Sequence, residues 1–202
     1  MNDRAQILVV AATLRELATA DGWRTLLCGV GPVEAAAATA AAIALHPPAA
    51  ILHIGIAGAR RVRMLAPGSF VIGGDARYCD LHVPEAWAPR TVVASAQLVA
   101  AVRTVLPLAP VLTIGTSAHV GGAADCDVEA MEGFGVLRAA QRAGVPAIEI
   151  RVISNDIEEA DRAHWHFEAA FAAIGAVTPA LVTALQHGID RPLFERRSIA
   201  GA

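Results

Sequence analysis

The chain has 202 residues, of which 55% are hydrophobic and 17% charged, and its formal net charge is −3. That length suits one α/β domain, and the apolar share excludes a disordered chain. Aromatic residues make up only 4%, and no Lys/Arg cluster extends beyond Arg60, Arg61 and Arg63, which excludes a phosphate-backbone binder and leaves few platforms for stacked bases.

No apolar run reaches the roughly 18 residues of a membrane span. Met1-Asn2-Asp3-Arg4 leads directly into Ile7-Leu8-Val9-Val10, an apolar run too short for a signal peptide. No membrane association and a cytoplasmic location are therefore expected. The three cysteines, Cys28, Cys79 and Cys126, lie far apart and form no CxxC. They read as buried free thiols of a reducing compartment.

In chain order, residues 7–11 read as a first buried strand and 26–30 as a second, closed by Gly29-Val30-Gly31-Pro32. Alanine dominates 33–45, a helix opened by Pro32 and stopped by His46-Pro47-Pro48. Residues 50–54 form the next strand, ending in Gly55-Ile56-Ala57-Gly58, and 69–73 another after the Pro67-Gly68 turn. A helix is expected over 95–106 and a strand over 111–115. A helix over 127–143 places Val128, Met131, Val136, Leu137 and Ala140 at apolar positions and stops at Gly144. A strand over 146–153 follows. A last helical stretch spans 164–187, with Pro179 as a kink or a new start. The tail 190–202 reads as loose or as a subunit contact.

Strands alternating with helices predict one α/β domain over 1–202, with a mostly parallel mixed central sheet flanked by helices on both faces. In such folds ligands gather where loops leave the C-terminal ends of the strands.

The usual motifs are absent or weak. Gly29-x-Gly31-x-x-Glu34 has Glu where a dinucleotide fingerprint needs its third glycine, and no carboxylate follows for a ribose. It reads as a tight turn, or as a backbone wall for a small ligand, and no cofactor is expected. His164-Trp165-His166 spaces its imidazoles two apart, so they do not share a helix face, and no metal site is expected. Neither GxSxG nor GxxxxGK[ST] occurs. Three polar positions stand close after strands or at a helix front. Glu16 follows the first strand, Glu132 lies in Ala130-Met131-Glu132-Gly133, and Asn155 lies in Arg151-Val152-Ile153-Ser154-Asn155. Each alone also fits a solvated residue, a dipole partner or a cap.

Together these stretches resemble the purine nucleoside phosphorylase and nucleosidase superfamily, along nearly the whole chain and in order. Gly29-Val30-Gly31-Pro32-Val33-Glu34-Ala35-Ala36 is similar to its G-[IV]-G-x-x-x-A-A, and Leu65-Ala66-Pro67-Gly68-Ser69-Phe70-Val71 to L-x-x-G-D-[IV]-V. Met131-Glu132-Gly133 resembles M-E-[GA], and Arg151-Val152-Ile153-Ser154-Asn155 resembles R-x-I-S-[DN]. Within the superfamily, Gly55-Ile56-Ala57-Gly58-Ala59, Asn155 and, more softly, Asp161-Arg162-x-x-Trp165 resemble the futalosine hydrolases. Methylthioadenosine/S-adenosylhomocysteine nucleosidases more often carry Ser at Ile56 and Asp at Asn155.

The resemblance implies hydrolysis of a purine nucleoside through an oxocarbenium-like sugar. In it Glu16 directs the attacking water, Arg151 stands near that water, and Asn155 meets the base. Met131 and Glu132 hold the ribose, Ile56, Ala57 and Gly58 line the site, and His119 stands on the base wall. A group at the 5′ end of the ribose falls to Arg77 or Arg162. The resemblance also implies a homo-oligomer. Alternatives are a methylthioadenosine/S-adenosylhomocysteine nucleosidase, a phosphorylase using Arg60 and Arg61 for phosphate, and a non-catalytic nucleoside-binding protein.

Overall fold

A computed structural model describes residues 6–123 and 125–190. The tail expected to be loose lies outside them from residue 191 onward. The first strand, β1 (Ile7–Ala11), is buried at every position, as a run of Ile, Leu, Val and Ala demands of a strand covered on both faces. It pairs in parallel with β2 (Arg24–Leu27) and β3 (Ala50–Ala59). Between them runs α1 (Pro32–Leu45), with Pro at its first turn and the extended His46 at its end. The Gly55-Ile56-Ala57-Gly58 run, expected to end the strand, continues β3 instead, because Gly55 to Ala59 pair with β8 (Ala147–Asp156).

Next come β4 (Phe70–Tyr78), the short β5 (Thr91–Val93) that the sequence reading did not include, α2 (Ala96–Arg103) and β6 (Val111–Thr116). The helix expected over 127–143 divides in two. Val128–Ala130 is β7, parallel to β6 and antiparallel to β3, and α3 (Gly133–Arg142) starts only after Glu132. The last helix, α4 (Phe167–Asp190), runs through Pro179 without a break in the helical assignment.

The strand order is β2-β1-β3-β7-β6-β4-β5, and β8 additionally pairs with both β3 and β4. The sheet therefore closes on itself through β3, β8, β4, β6 and β7, leaving β1, β2 and β5 as extensions. Inside the ring sits a small core of Ala57, Val71, Ile114, Val128, Ala130 and Ile153. A larger core fills the space between sheet and helices. Helix α1 packs on α3 and α2 on α4, and both pairs touch the sheet.

By length and mean hydropathy, 1.6 over its most apolar window, α4 matches a membrane span that the sequence reading did not count. Here a stripe of Ala170, Ile174, Leu181, Val182 and Leu185 is buried, and the helix contacts β1, β3, β8 and α2.

Candidate active site

The C-terminal ends of β1, β3 and β8 and the β7–α3 junction surround a cavity of about 170 Å³. Glu16, Ile56, Ala57, Gly58, Met131, Glu132 and Asn155 all line it, joined by Thr13, Val30, Glu129 and Trp165. The chain positions each of these groups by local means.

Glu16 closes a turn after β1. Its Oε2 accepts from Thr13 N at 3.0 Å and Thr13 Oγ1 at 2.8 Å, and its Oε1 accepts from Ile56 N at 3.1 Å. A carboxylate offers about four acceptor positions, so one is left for a water. A Cβ on Gly55 would overlap Arg151 Nη1 and stand 2.8 Å from Glu16 Oε1, so glycine leaves the space that the two side chains occupy.

Glu132 is the residue just before α3 and is only 4% exposed. Its Oε1 accepts from Gly31 N at 3.2 Å and its Oε2 from Arg151 Nη2 at 3.3 Å. Gly31 reaches it at φ 95°, in the region that favours glycine. The Gly29-x-Gly31 turn is thus a backbone wall, with Val30 on the cavity. Since Glu132 points elsewhere, the first turn of α3 is served by Thr116, whose Oγ1 accepts from Phe134 N at 2.8 Å.

Arg151 lies behind the cavity, 1% exposed, and does not line it. It donates through Nε to Glu149 Oε1 at 2.7 Å and through Nη1 to the Ile56 carbonyl at 3.3 Å. Nη2 also lies 2.6 Å from His53 Nε2. His53 Nδ1 stands 3.1 Å from the Val10 carbonyl. The guanidinium can only donate, so His53 Nε2 accepts and Nδ1–H donates a hydrogen bond to the Val10 carbonyl.

Burial, with the Arg151 charge added, holds the His53 imidazole well below its ordinary range. Burial likewise pushes the Glu149 carboxyl up against the opposing pull of Arg151. For Arg151, burial is outweighed by Glu149, Glu132 and Glu16, which together hold the guanidinium above its ordinary value. Burial and the Glu132 charge push the nearby Cys28 thiol up to about 12. His53 and Glu149 were missed by the sequence reading. Their signal was an ionisable residue inside a continuously apolar strand.

Asn155 is 6% exposed. Its Oδ1 accepts from Ser154 Oγ at 2.8 Å and its Nδ2 donates to the Asp156 carbonyl at 2.9 Å. One amide hydrogen and one lone pair stay available to a ligand. The β3–β8 register shifts between Ala57 and Gly58, which pairs with Asn155 and skips Ser154. The bulge brings two successive residues, Ser154 and Asn155, onto the cavity, where a regular strand would alternate faces.

His119 does not fit the expected base wall. Its side chain is 71% exposed, with Nδ1 3.4 Å from Ser117 Oγ, and the cavity is lined by the next residue, Val120. Glu129 holds this loop through Gly121 N at 2.6 Å and Ala123 N at 2.9 Å. Arg60 and Arg61 face elsewhere, Arg60 Nε toward the Cys126 carbonyl and Arg61 Nε toward Asp156. None of the described residues lining the cavity is cationic. Arg162 lies over the ring of the cavity residue Trp165, 5.4 Å from its centroid, whereas Arg77 lines a different groove.

Residues 24–187 match the sequence profile of the phosphorylase superfamily. The chain is 33% identical to a futalosine hydrolase of Streptomyces coelicolor over 205 residues, covering 83% of each. It is 30% identical to a futalosine hydrolase of Thermus thermophilus over 194 residues, covering 85% of each. An S-adenosylhomocysteine nucleosidase of Streptococcus pyogenes shares the fold with a TM-score of 0.76 at 21% identity, over 90% of this chain and 96% of that one. The futalosine hydrolase of Helicobacter pylori aligns with a TM-score of 0.72 at 15% identity, over 91% and 97%.

Proposed function

The chain belongs to the phosphorylase superfamily, and from that premise we propose that it is a nucleosidase hydrolysing futalosine to hypoxanthine and the dehypoxanthinylated sugar, a step of menaquinone biosynthesis. The observation that carries this reading is a cavity on which Glu16, Glu132 and Asn155 converge with no cation among its described lining residues. A phosphorolytic site must hold an anion, and a lining with three carboxylates, Glu16, Glu129 and Glu132, repels one. The names of the Streptomyces and Thermus relatives support the choice of substrate.

In this reading the C–N bond breaks with its electron pair passing to the base, and the ribose gains oxocarbenium character. Glu132 accepts from the ribose hydroxyls, an interaction that strengthens as the sugar becomes positive. Glu16 takes the proton of the water that attacks the anomeric carbon. Asn155 offers its free amide hydrogen and lone pair to the carbonyl and ring N–H of hypoxanthine. Asn is no acid, so the departing base takes its proton from water. Arg151 holds Glu16 and Glu132 in place electrostatically from behind. The protein acts on a small-molecule nucleoside, as a homo-oligomer in the cytoplasm.

The test is base release from futalosine, inosine, methylthioadenosine and S-adenosylhomocysteine, each with and without phosphate. Hypoxanthine from futalosine at a rate indifferent to phosphate is expected. Adenine release would overturn the substrate, and phosphate dependence the reaction type. Glu16→Gln is expected to lower kcat by about 10²- to 10⁴-fold while nucleoside binding persists. Unchanged turnover would remove Glu16 from the mechanism.

A further inference from the structure

We infer that Cys79 and Cys126 form a reversible dithiol–disulfide couple, a modification site for hydroperoxides that is separate from the nucleoside cavity and independent of the reading above. Cys79 follows β4 and donates its backbone N–H to the Thr116 carbonyl at 2.9 Å, one step past the Tyr78–Thr116 pairing of β4 and β6. Cys126 comes from the segment entering β7 and is seated on Gly115. A Cβ placed on Gly115 would stand 3.0 Å from Cys126 Cβ and 3.1 Å from its Sγ. Arg77 pairs with Gly115, and Cys79, two residues further on, falls on the same face of the sheet, so two segments far apart in sequence bring their thiols to the same stretch of β6. Cys28 lies elsewhere, its thiol 3.4 Å from the Gly29 carbonyl.

The two sulfurs are not equivalent. Cys79 is half-buried and Cys126 buried. Each thiol acts on the other: beside Cys126 the Cys79 thiol lies below its ordinary value against the cost of burial, with Arg77 assisting, and beside Cys79 the buried Cys126 thiol lies above it. Cys79 therefore attacks and Cys126 keeps its proton until it resolves the intermediate. A groove lined by Arg63, Arg77, Thr113, Asp125, Cys126 and Asp127 opens beside them.

The step balances in two stages. Cys79–SH and one hydroperoxide, ROOH, give Cys79–SOH and ROH. Cys126–SH then displaces that hydroxyl as water and leaves the S–S bond, each sulfur having lost one electron. The bond ties the end of β4 to the segment entering β7 on either side of the 117–123 loop, whose Val120 lines the cavity. The redox state of the couple thereby sets how freely that loop moves.

The experiment treats the intact chain with hydrogen peroxide and counts free thiols. The titre is expected to fall from three per chain to one, with a mass lower by two hydrogens, a peptide joining Cys79 to Cys126, and full return on dithiothreitol. Cys28→Ser should keep this response and Cys79→Ser should lose it. Three thiols remaining, a cross-link through Cys28, or oxygen added without a cross-link would each overturn the proposal.

Discussion

Arg151 faces three carboxylates, Glu16, Glu132 and Glu149, and the imidazole of His53, which burial and the Arg151 charge hold well below its ordinary range. Glu16, Glu132 and Asn155, which line the cavity, and Arg151 behind it were legible as candidates because each stands in a motif or just past a strand. His53 and Glu149 were not: the Arg151 that meets His53 is distant in sequence, and Glu149, two residues from Arg151 on the same strand, stands in no motif. The depressed His53 imidazole has a consequence for stability. Below the ordinary histidine value of 6.5 the unfolded chain takes up a proton that the folded chain refuses. The His53 contribution is therefore complete above that pH and is lost as pH falls through it, at up to about 1.4 kcal/mol per pH unit. His53→Gln keeps an acceptor for Arg151 and cannot titrate. In urea unfolding at stepped pH, the stability gap between wild type and His53→Gln is expected to narrow below that value. A gap constant with pH would refute this.

At the level of elements, the 127–143 segment shows what a single sequence hides. Val128 and Met131 keep helical spacing, yet pairing with β6 and β3 makes Val128–Ala130 a strand, an override of local pattern by tertiary contact. The same division sets Glu132 at the head of α3, where its carboxylate meets Gly31 from the head of α1. These helices touch closely at Gly135, where a Cβ would overlap the Pro32 carbonyl oxygen and stand 3.1 Å from Ala36 N. Gly135→Ala gains about 1 kcal/mol of helix propensity but forces backbone apart. A net loss of about 1–3 kcal/mol is expected, with reduced kcat/KM because Pro32 carries Gly31 with it. Gly175→Ala in α4 meets nothing within 4 Å and is expected to stabilise by about 0.5–1 kcal/mol. Denaturant titration of both variants checks the contrast, and equal effects would show that packing between α1 and α3 is not the cause.

For the whole molecule, the alternation of strands and helices foretold a mostly parallel α/β sheet, and the pairings are mostly parallel. Closure of the ring was not legible, since it depends on β8 pairing with β3 on one side and β4 on the other. Because β3 and β4 belong to the ring and also carry the extensions β1 and β5, ring and extensions are expected to unfold together as one domain. Ile114→Ala, in the core of the ring and 0% exposed, should cost about 2–5 kcal/mol. It should lower a single transition seen alike by calorimetry and by circular dichroism. Two separated transitions would mark the ring as its own folding unit. The bulge in β8 also bears on how such a site diversifies. Ser154 and Asn155 present themselves to the cavity as adjacent residues linked by a 2.8 Å hydrogen bond, so exchanging one resets the orientation of the other. With Asn155 meeting the base as proposed, base preference would be carried by the dipeptide, and substitutions at its two positions are expected to be epistatic.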